Sequence, residues 1–125
     1  MHNSILGTLT HDEGMWTGEI RRAGQVVEFA IAGDSAGPEA EQLRQLLQHL
    51  DAFEDLRANI FGFIEGQLCH NPATDPRLFA IRSLDFLWPK QDDYFLVWLE
   101  LEGDEYGAWK VEFVGGQPKY FSRDD

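Results

Sequence analysis

The feature that most constrains the fold of this chain is an apolar stripe between residues 43 and 68. It consists of Leu43, Leu46, Leu47, Leu50, Phe53, Leu56, Ile60, Phe61, Ile64 and Leu68. Spacings of three and four place these side chains on one face of an α-helix, which must pack against another element. Gly62 and Gly66 each weaken a helix interior by about 1 kcal/mol. The stripe predicts one long amphipathic helix, intact or broken, with two helices divided near Asp51 as the alternative.

The segments on both sides of the stripe alternate apolar and polar residues, as β-strands do. Strands are predicted at residues 4–10, 15–21, 26–31, 78–88, 94–101, 108–113 and 119–121. Most of the connections are short and contain glycine, which is typical of hairpins, and Gly14, Gly18 and Gly24 are expected to punctuate them. The alternation within 78–88 slips by one residue midway, which indicates a bulge.

The order βββ-α-ββββ predicts the fold class. We expect a single α+β domain over residues 1–125, in which an antiparallel sheet carries the amphipathic helix on one face. The length suits one domain, and 43% hydrophobic residues are enough to close a core.

The charge of the chain limits its partners. Twenty-two acidic residues against ten basic ones give a formal net charge of −12 at pH 7. Nucleic-acid binding needs a basic face that displaces counterions from phosphates, and an anionic membrane surface repels an acidic domain. We therefore expect no nucleic acid or membrane partner, and a basic protein partner instead.

The cysteine count and the termini bear on location. Cys69 is the only cysteine, so an internal disulfide framework is excluded and a reducing compartment is favoured. The first residues lack a basic region followed by an apolar run, and no apolar stretch is long enough to span a bilayer. These features predict a cytoplasmic protein.

No residue pattern specifies a reaction, a cofactor or a metal. Cys69 and His70 are adjacent and so point apart, whereas a catalytic pair is assembled in space. The four histidines lack ligand spacing, and residues 102–105 are too short for a calcium loop. The glycines are not followed by the Lys-Ser/Thr of a phosphate loop. The sequence predicts a protein that is not an enzyme and has no cofactor, catalytic residue or metal ligand.

The tryptophans suggest where a partner would bind. Core packing is their ordinary role, but each strand has a second face, and an aromatic side chain exposed there marks a binding surface. Among Trp16, Trp88, Trp98 and Trp109, we take Trp98 and Trp109 as candidate anchors. The rim around them is predicted to be the turn acids Asp92, Asp93, Glu102, Asp104 and Glu105.

The two ends of the chain carry a family resemblance. The matching residues are Leu6-Gly7-x-Leu9, Asp12, Trp16-Thr17-Gly18, Val26-Val27-x-Phe29 and, at the other end, Tyr106-Gly107-Ala108-Trp109, Val111, Phe113 and Gly116. This pattern resembles small acidic bacterial domains of unknown function, some of them proposed as toxin-immunity proteins. Turn glycines and core aromatics carry the match, so it speaks for the fold. It implies a bacterial source and an interaction role, and no catalytic residues.

These observations predict a non-catalytic bacterial binding or immunity-type protein that engages a basic protein partner. The alternatives are a self-associating homodimer, formed through the open sheet face or a sheet edge, and, less favoured, a DNA mimic or an enzyme. Mimicry needs carboxylates spaced like phosphates on one face. The helix acids are too few and uneven for that: Glu39, Glu41, Asp51, Glu54, Asp55 and Glu65.

Overall fold

A computed structural model describes residues 1–67, 75–87 and 93–124. The strands before the helices are β1 (His2–Asn3), β2 (Gly7–Thr8), β3 (Thr10–Asp12), β4 (Met15–Arg22), β5 (Gln25–Asp34) and β6 (Gly37–Pro38). The helices are α1 (Ala40–Asp51) and α2 (Phe53–Gln67), with a 3₁₀ turn at Pro76–Leu78. The remaining strands are β7 (Phe79–Asp85), β8 (Phe95–Leu101), β9 (Ala108–Val114) and β10 (Gln117–Asp124).

The main sheet is mixed, so the predicted antiparallel sheet is wrong. Its strand order is β10-β9-β8-β7-β5-β4-β3, with β6 paired to β5, and β1 and β2 form a separate two-stranded sheet. Every described pair is antiparallel except β5 and β7, which run parallel. Parallel neighbours need a long crossover connection, and the helical segment between these two strands supplies it. The hairpin patterns are local and therefore give no sign of this non-local pair.

The helical segment is two helices, so the expectation of one long helix is also wrong and the division near Asp51 is confirmed. Ala52 leaves helical geometry at φ −107° and ψ 43°. Gly62 and Gly66, where a break was expected, lie inside α2. The division has a packing reason: α1 contacts β5, an interior strand of the sheet, whereas α2 reaches the edge strand β10.

The core lies between these helices and one face of the sheet. The described part of the apolar stripe, from Leu43 to Ile64, faces inward, as predicted, with Leu46, Ile60 and Ile64 fully buried, and Leu68 lies outside the described residues. Alternate strand residues meet them. The least exposed sheet residues, at 2% or less, are Val27, Phe29, Ile31, Phe79, Ile81, Leu84, Phe95, Val97, Leu99, Val111 and Phe113. We call this face the covered face and the other face, which no described helix packs against, the open face.

A bulge in β7 sets which side chains reach the open face. The register with β8 shifts between Ile81 and Ser83, which confirms the predicted slip. Because strand side chains alternate, the extra residue keeps both Ile81 and Leu84 on the covered face. Ser83 and Asp85 consequently lie on the open face.

Gly18 lies within β4 and is not at a turn, unlike Gly14 and Gly24, which have positive φ at the two hairpin turns. It lies opposite Phe29, and a Cβ built on it would lie 2.6 Å from the tip of the Phe29 ring and 3.2 Å from Leu9. The absence of a side chain lets the ring lie against the sheet.

We predict that Gly18→Ala lowers the free energy of unfolding by about 1–3 kcal/mol, because the added methyl overpacks the core. Urea unfolding measures it. Gly62→Ala is the matched control: apart from the adjacent residues and the backbone of α2 itself, nothing lies within 4 Å of its Cβ position, so the change should stabilise α2 by about 0.4–1 kcal/mol. Wild-type stability in Gly18→Ala would contradict the tight ring packing.

Candidate functional site

The open face carries a concave region of about 780 Å³, which we call the acidic groove. Strands β4, β5, β7 and β8 form its floor, and the segment around β2 lines one side. Its lining residues are Leu6, Gly7, Thr8, Thr10, Thr17, Gly18, Glu19, Glu28, Phe29, Ala30, Ser83, Leu84, Asp85 and Trp98. Three carboxylates, several hydroxyls and one indole thus converge on the middle of the sheet.

Glu19 and Glu28 are directly opposite one another on β4 and β5. Side chains paired in this way have Cβ atoms about 5 Å apart, and like charges there destabilise the sheet. No described Lys or Arg lies within ion-pair distance of either carboxylate. Elsewhere on this face acids are paired: Glu100 lies 3.6 Å from Arg82. The two groove glutamates therefore lack the direct ion pair that Glu100 has.

Asp85 is the third carboxylate of the groove, and its position depends on the parallel pairing. It lies opposite Ala30 of β5. Its Oδ1 accepts the Leu87 backbone N–H at 2.9 Å, which fixes the carboxyl group at the end of β7. Within the described residues it has no cationic partner either.

Trp98 stands on the open face of β8, half-buried, and borders the groove. The Nζ of Lys110 lies 5.5 Å from the centroid of its ring and also 3.3 Å from the carboxylate of Asp124. A smaller depression of about 210 Å³ adjoins the same indole and shares Glu28 and Ser83 with the groove. Trp98 is thus an aromatic wall between two concave surfaces.

The structure places Trp109, the second predicted anchor, on the covered face. Its ring stacks on Phe121 at 5.3 Å, and its Nε1 donates to Oδ2 of Asp104 at 2.8 Å. Asp104 also binds Arg123 through both carboxylate oxygens, at 2.8 and 3.0 Å. The bond to Arg123 and then that to Trp109 lower the pKa of Asp104 to about 2. These contacts give Trp109 and Asp104 a structural role at the end of the sheet.

The other predicted rim acids are not brought together with Trp98. Glu102 and Glu105 are exposed in the turn between β8 and β9, whereas Asp93 precedes the opposite end of β8. Asp93 accepts a 2.8 Å hydrogen bond from Gln45. Asp92, like Trp88, lies outside the described residues. Of the predicted residues that the structure describes, Trp98 alone lines the acidic groove.

The carboxylates of the acidic groove were not identified from the sequence, although the sequence indicates part of their arrangement. Ala23-Gly24 forms a two-residue turn that pairs Arg22 with Gln25, and counting back along both strands places Glu19 opposite Glu28. Because side chains alternate along a strand, Glu19 and Glu28 then lie on the open face, opposite to their apolar neighbours. The contribution of Asp85 follows only from the parallel pair, which local patterns do not indicate.

A second, smaller cleft of about 330 Å³ lies between α1 and the ends of β8 and β9. The ring of His49 packs at a tilt of 42° against that of Phe95 there, with 4.6 Å between ring centroids. Burial lowers the pKa of His49; the charge of Asp93 opposes this shift and that of Arg44 adds to it. The imidazole is therefore held as a neutral packing group against the aromatic ring.

Within the part of the chain that the structure describes, no three His, Cys, Asp or Glu side chains are grouped so as to hold a metal ion. None of the helices in the described ranges is long and apolar enough to cross a membrane.

Comparison with known proteins adds no assignment. No protein-family model, no curated protein and no solved structure matches the chain. Function must therefore be argued from the groove and its surroundings.

We predict that Asp104→Asn lowers the melting temperature near neutral pH. A carboxyl group with a lowered folded-state pKa stabilises the fold above its unfolded pKa of about 3.9, and this stabilisation is lost as the pH falls towards about 2. The difference in melting temperature between variant and wild type should shrink over that window. Glu105→Gln, an exposed neighbour, is the control, and a difference independent of pH would contradict the assignment.

We also predict that Glu28→Gln stabilises the free protein by about 0.2–1 kcal/mol, because it relieves the repulsion from Glu19. The gain should decrease at high salt. Glu102→Gln, at an exposed position in the turn between β8 and β9, removes the same charge without a cross-strand carboxylate opposite it. Equal gains in the two variants, measured by denaturant unfolding, would show that the cross-strand repulsion is absent.

Proposed function

We propose that this protein is a non-catalytic binding protein that engages a basic protein partner through the acidic groove. The observation that carries the proposal is the cross-strand pair Glu19–Glu28, joined by Asp85, on a sheet face that the described helices leave open. Carboxylates held together without a cation are a cost to the free protein. A cationic surface that docks there removes the cost, so binding and relief of repulsion are coupled.

The charge of the whole chain supports the same partner. A formal charge of −12 attracts a basic protein over long distances and raises the association rate. Trp98 supplies what charge alone does not, an aromatic side chain that can be desolvated at the centre of an interface. In the setting implied by the family resemblance, the partner is a basic bacterial toxin and the complex is an immunity complex in the cytoplasm.

Self-association through the open face is less favourable than binding a different protein. Two copies meeting face to face would oppose their uncompensated carboxylates. Pairing through the edge strand β10 meets other obstacles: Pro118 lacks an N–H, the register shifts between Pro118 and Tyr120, and Lys119 adds a charge. Bulges, prolines and lysines are the usual protection of an exposed edge.

The test compares two triple variants with equal charge changes. One neutralises the groove (Glu19→Gln, Glu28→Gln, Asp85→Asn), and the other neutralises exposed acids elsewhere (Glu65→Gln, Glu102→Gln, Glu105→Gln). Proteins retained from source cells by the wild type are identified by mass spectrometry, purified and titrated by calorimetry. We expect a basic partner whose affinity falls about tenfold or more in the groove variant only, and also falls with salt.

Three results would contradict the proposal. They are a neutral or acidic partner, an affinity that salt does not change, and equal losses in the two triple variants. Loss in the second variant alone would place the interface at the turn between β8 and β9. A mass that rises with concentration in light scattering, at low and high salt alike and without a partner, would favour the homodimer.

A further inference from the structure

We infer that the groove receives an arginine side chain of the partner, with its guanidinium seated between the carboxylate of Glu28 and the indole of Trp98. This inference rests on the proposed function and specifies the chemistry that the partner must present. It is argued from the order of side chains across the sheet.

One row of paired residues crosses the open face from β4 to β10. Successive neighbours in the row are Glu19, Glu28, Ser83, Trp98, Lys110 and Ser122. Strands are spaced about 4.8 Å apart, so two strand spacings, about 10 Å, separate Glu28 from Trp98. Ser83 between them is small and leaves a slot with a carboxylate on one side and an aromatic ring on the other.

Asp85 lies next to this slot on the same face. It is two residues along β7 from Ser83, and its bonded Oδ1 holds the carboxyl group in place. A flat cation in the slot therefore meets an indole face, the carboxylate of Glu28 and a hydroxyl, with a second carboxylate nearby. Glu28, Ser83 and Trp98 line both the acidic groove and the smaller depression beside the indole.

These surroundings favour guanidinium over ammonium. Arginine is planar, stacks on aromatic faces and binds a carboxylate through two parallel N–H groups, whereas lysine acts as a point charge. Two cations of this face already have carboxylate partners, including Arg82, which lines the smaller depression beside Trp98. Lys110 approaches Trp98 from the β9 side and pairs with Asp124, and Arg82 lies 3.6 Å from Glu100.

The test uses two short peptides that are identical except that one carries arginine where the other carries lysine. Each is titrated into the ¹⁵N-labelled full chain and followed by calorimetry and NMR. We expect the arginine peptide to bind about tenfold more tightly and to shift the Trp98 indole and Ser83 amide signals. Glu28→Gln should weaken both peptides, while Trp98→Leu should remove the preference and leave the lysine affinity nearly unchanged.

Two further variants guard against a change in fold. Ser83→Gln fills the slot at a half-buried position without changing the charge, and it should also abolish the preference for arginine. Glu65→Gln is the charge control and should leave both affinities and the preference unchanged. Amide spectra outside the groove report whether each variant keeps the native fold.

The outcomes separate this inference from the proposed function. Equal affinities of the two peptides at the groove would overturn the arginine assignment and leave a basic partner in place. A second outcome is that the peptides shift signals of the labelled chain only outside the groove, while partner binding still depends on the groove carboxylates. That result, too, would overturn the arginine assignment and leave a basic partner in place. If neither the peptides nor the captured partner depends on Glu19, Glu28 and Asp85, both proposals fail.

Discussion

The parallel pairing of β5 with β7 is the constraint on which the rest of the structure depends. Three residue pairs make it: Glu28 with Ser83, Phe29 with Leu84, and Ala30 with Asp85. The pairing joins two antiparallel meanders, and it requires a crossover, which α1 and α2 provide. Because the crossover covers one face, Phe29 and Leu84 enter the core. The two flanking pairs, Glu28 with Ser83 and Ala30 with Asp85, point to the open face and contribute the floor and two of the acids of the groove.

The acids of the chain fall into two groups with different physical consequences. Some stabilise the fold: Glu39 accepts backbone N–H groups at the start of α1, and Asp104 joins Trp109 to Arg123. Glu19 and Glu28 do the opposite, since like charges face each other there and neither carboxylate forms an ion pair among the described residues. Hydrophobic cross-strand pairs on the covered face stabilise the same strands, so the sheet tolerates the electrostatic repulsion on its open face.

Local sequence patterns predicted much of the fold but little of the acidic groove. The stripe from Leu43 onward, the hairpins and the β7 bulge were readable because each depends on residues close in sequence. The parallel pair was not, since it joins strands separated by two helices. The tryptophans show the same limit. Trp98 and Trp109 lie on opposite faces, because the register pairs Trp109 with Leu99, the neighbour of Trp98 along β8.

The row across the open face explains why the uncompensated charge is confined to one half of the sheet. At the β9 end, Lys110 meets both Trp98 and Asp124, so cation and carboxylate neutralise each other locally. At the β4–β5 end two carboxylates face each other with no such partner. The charges along the row are therefore unevenly distributed. The two carboxylates without an ion pair, Glu19 and Glu28, lie at the end beside the parallel pair of strands. A cation that enters there completes the pattern that Lys110 already forms on the other side of the indole.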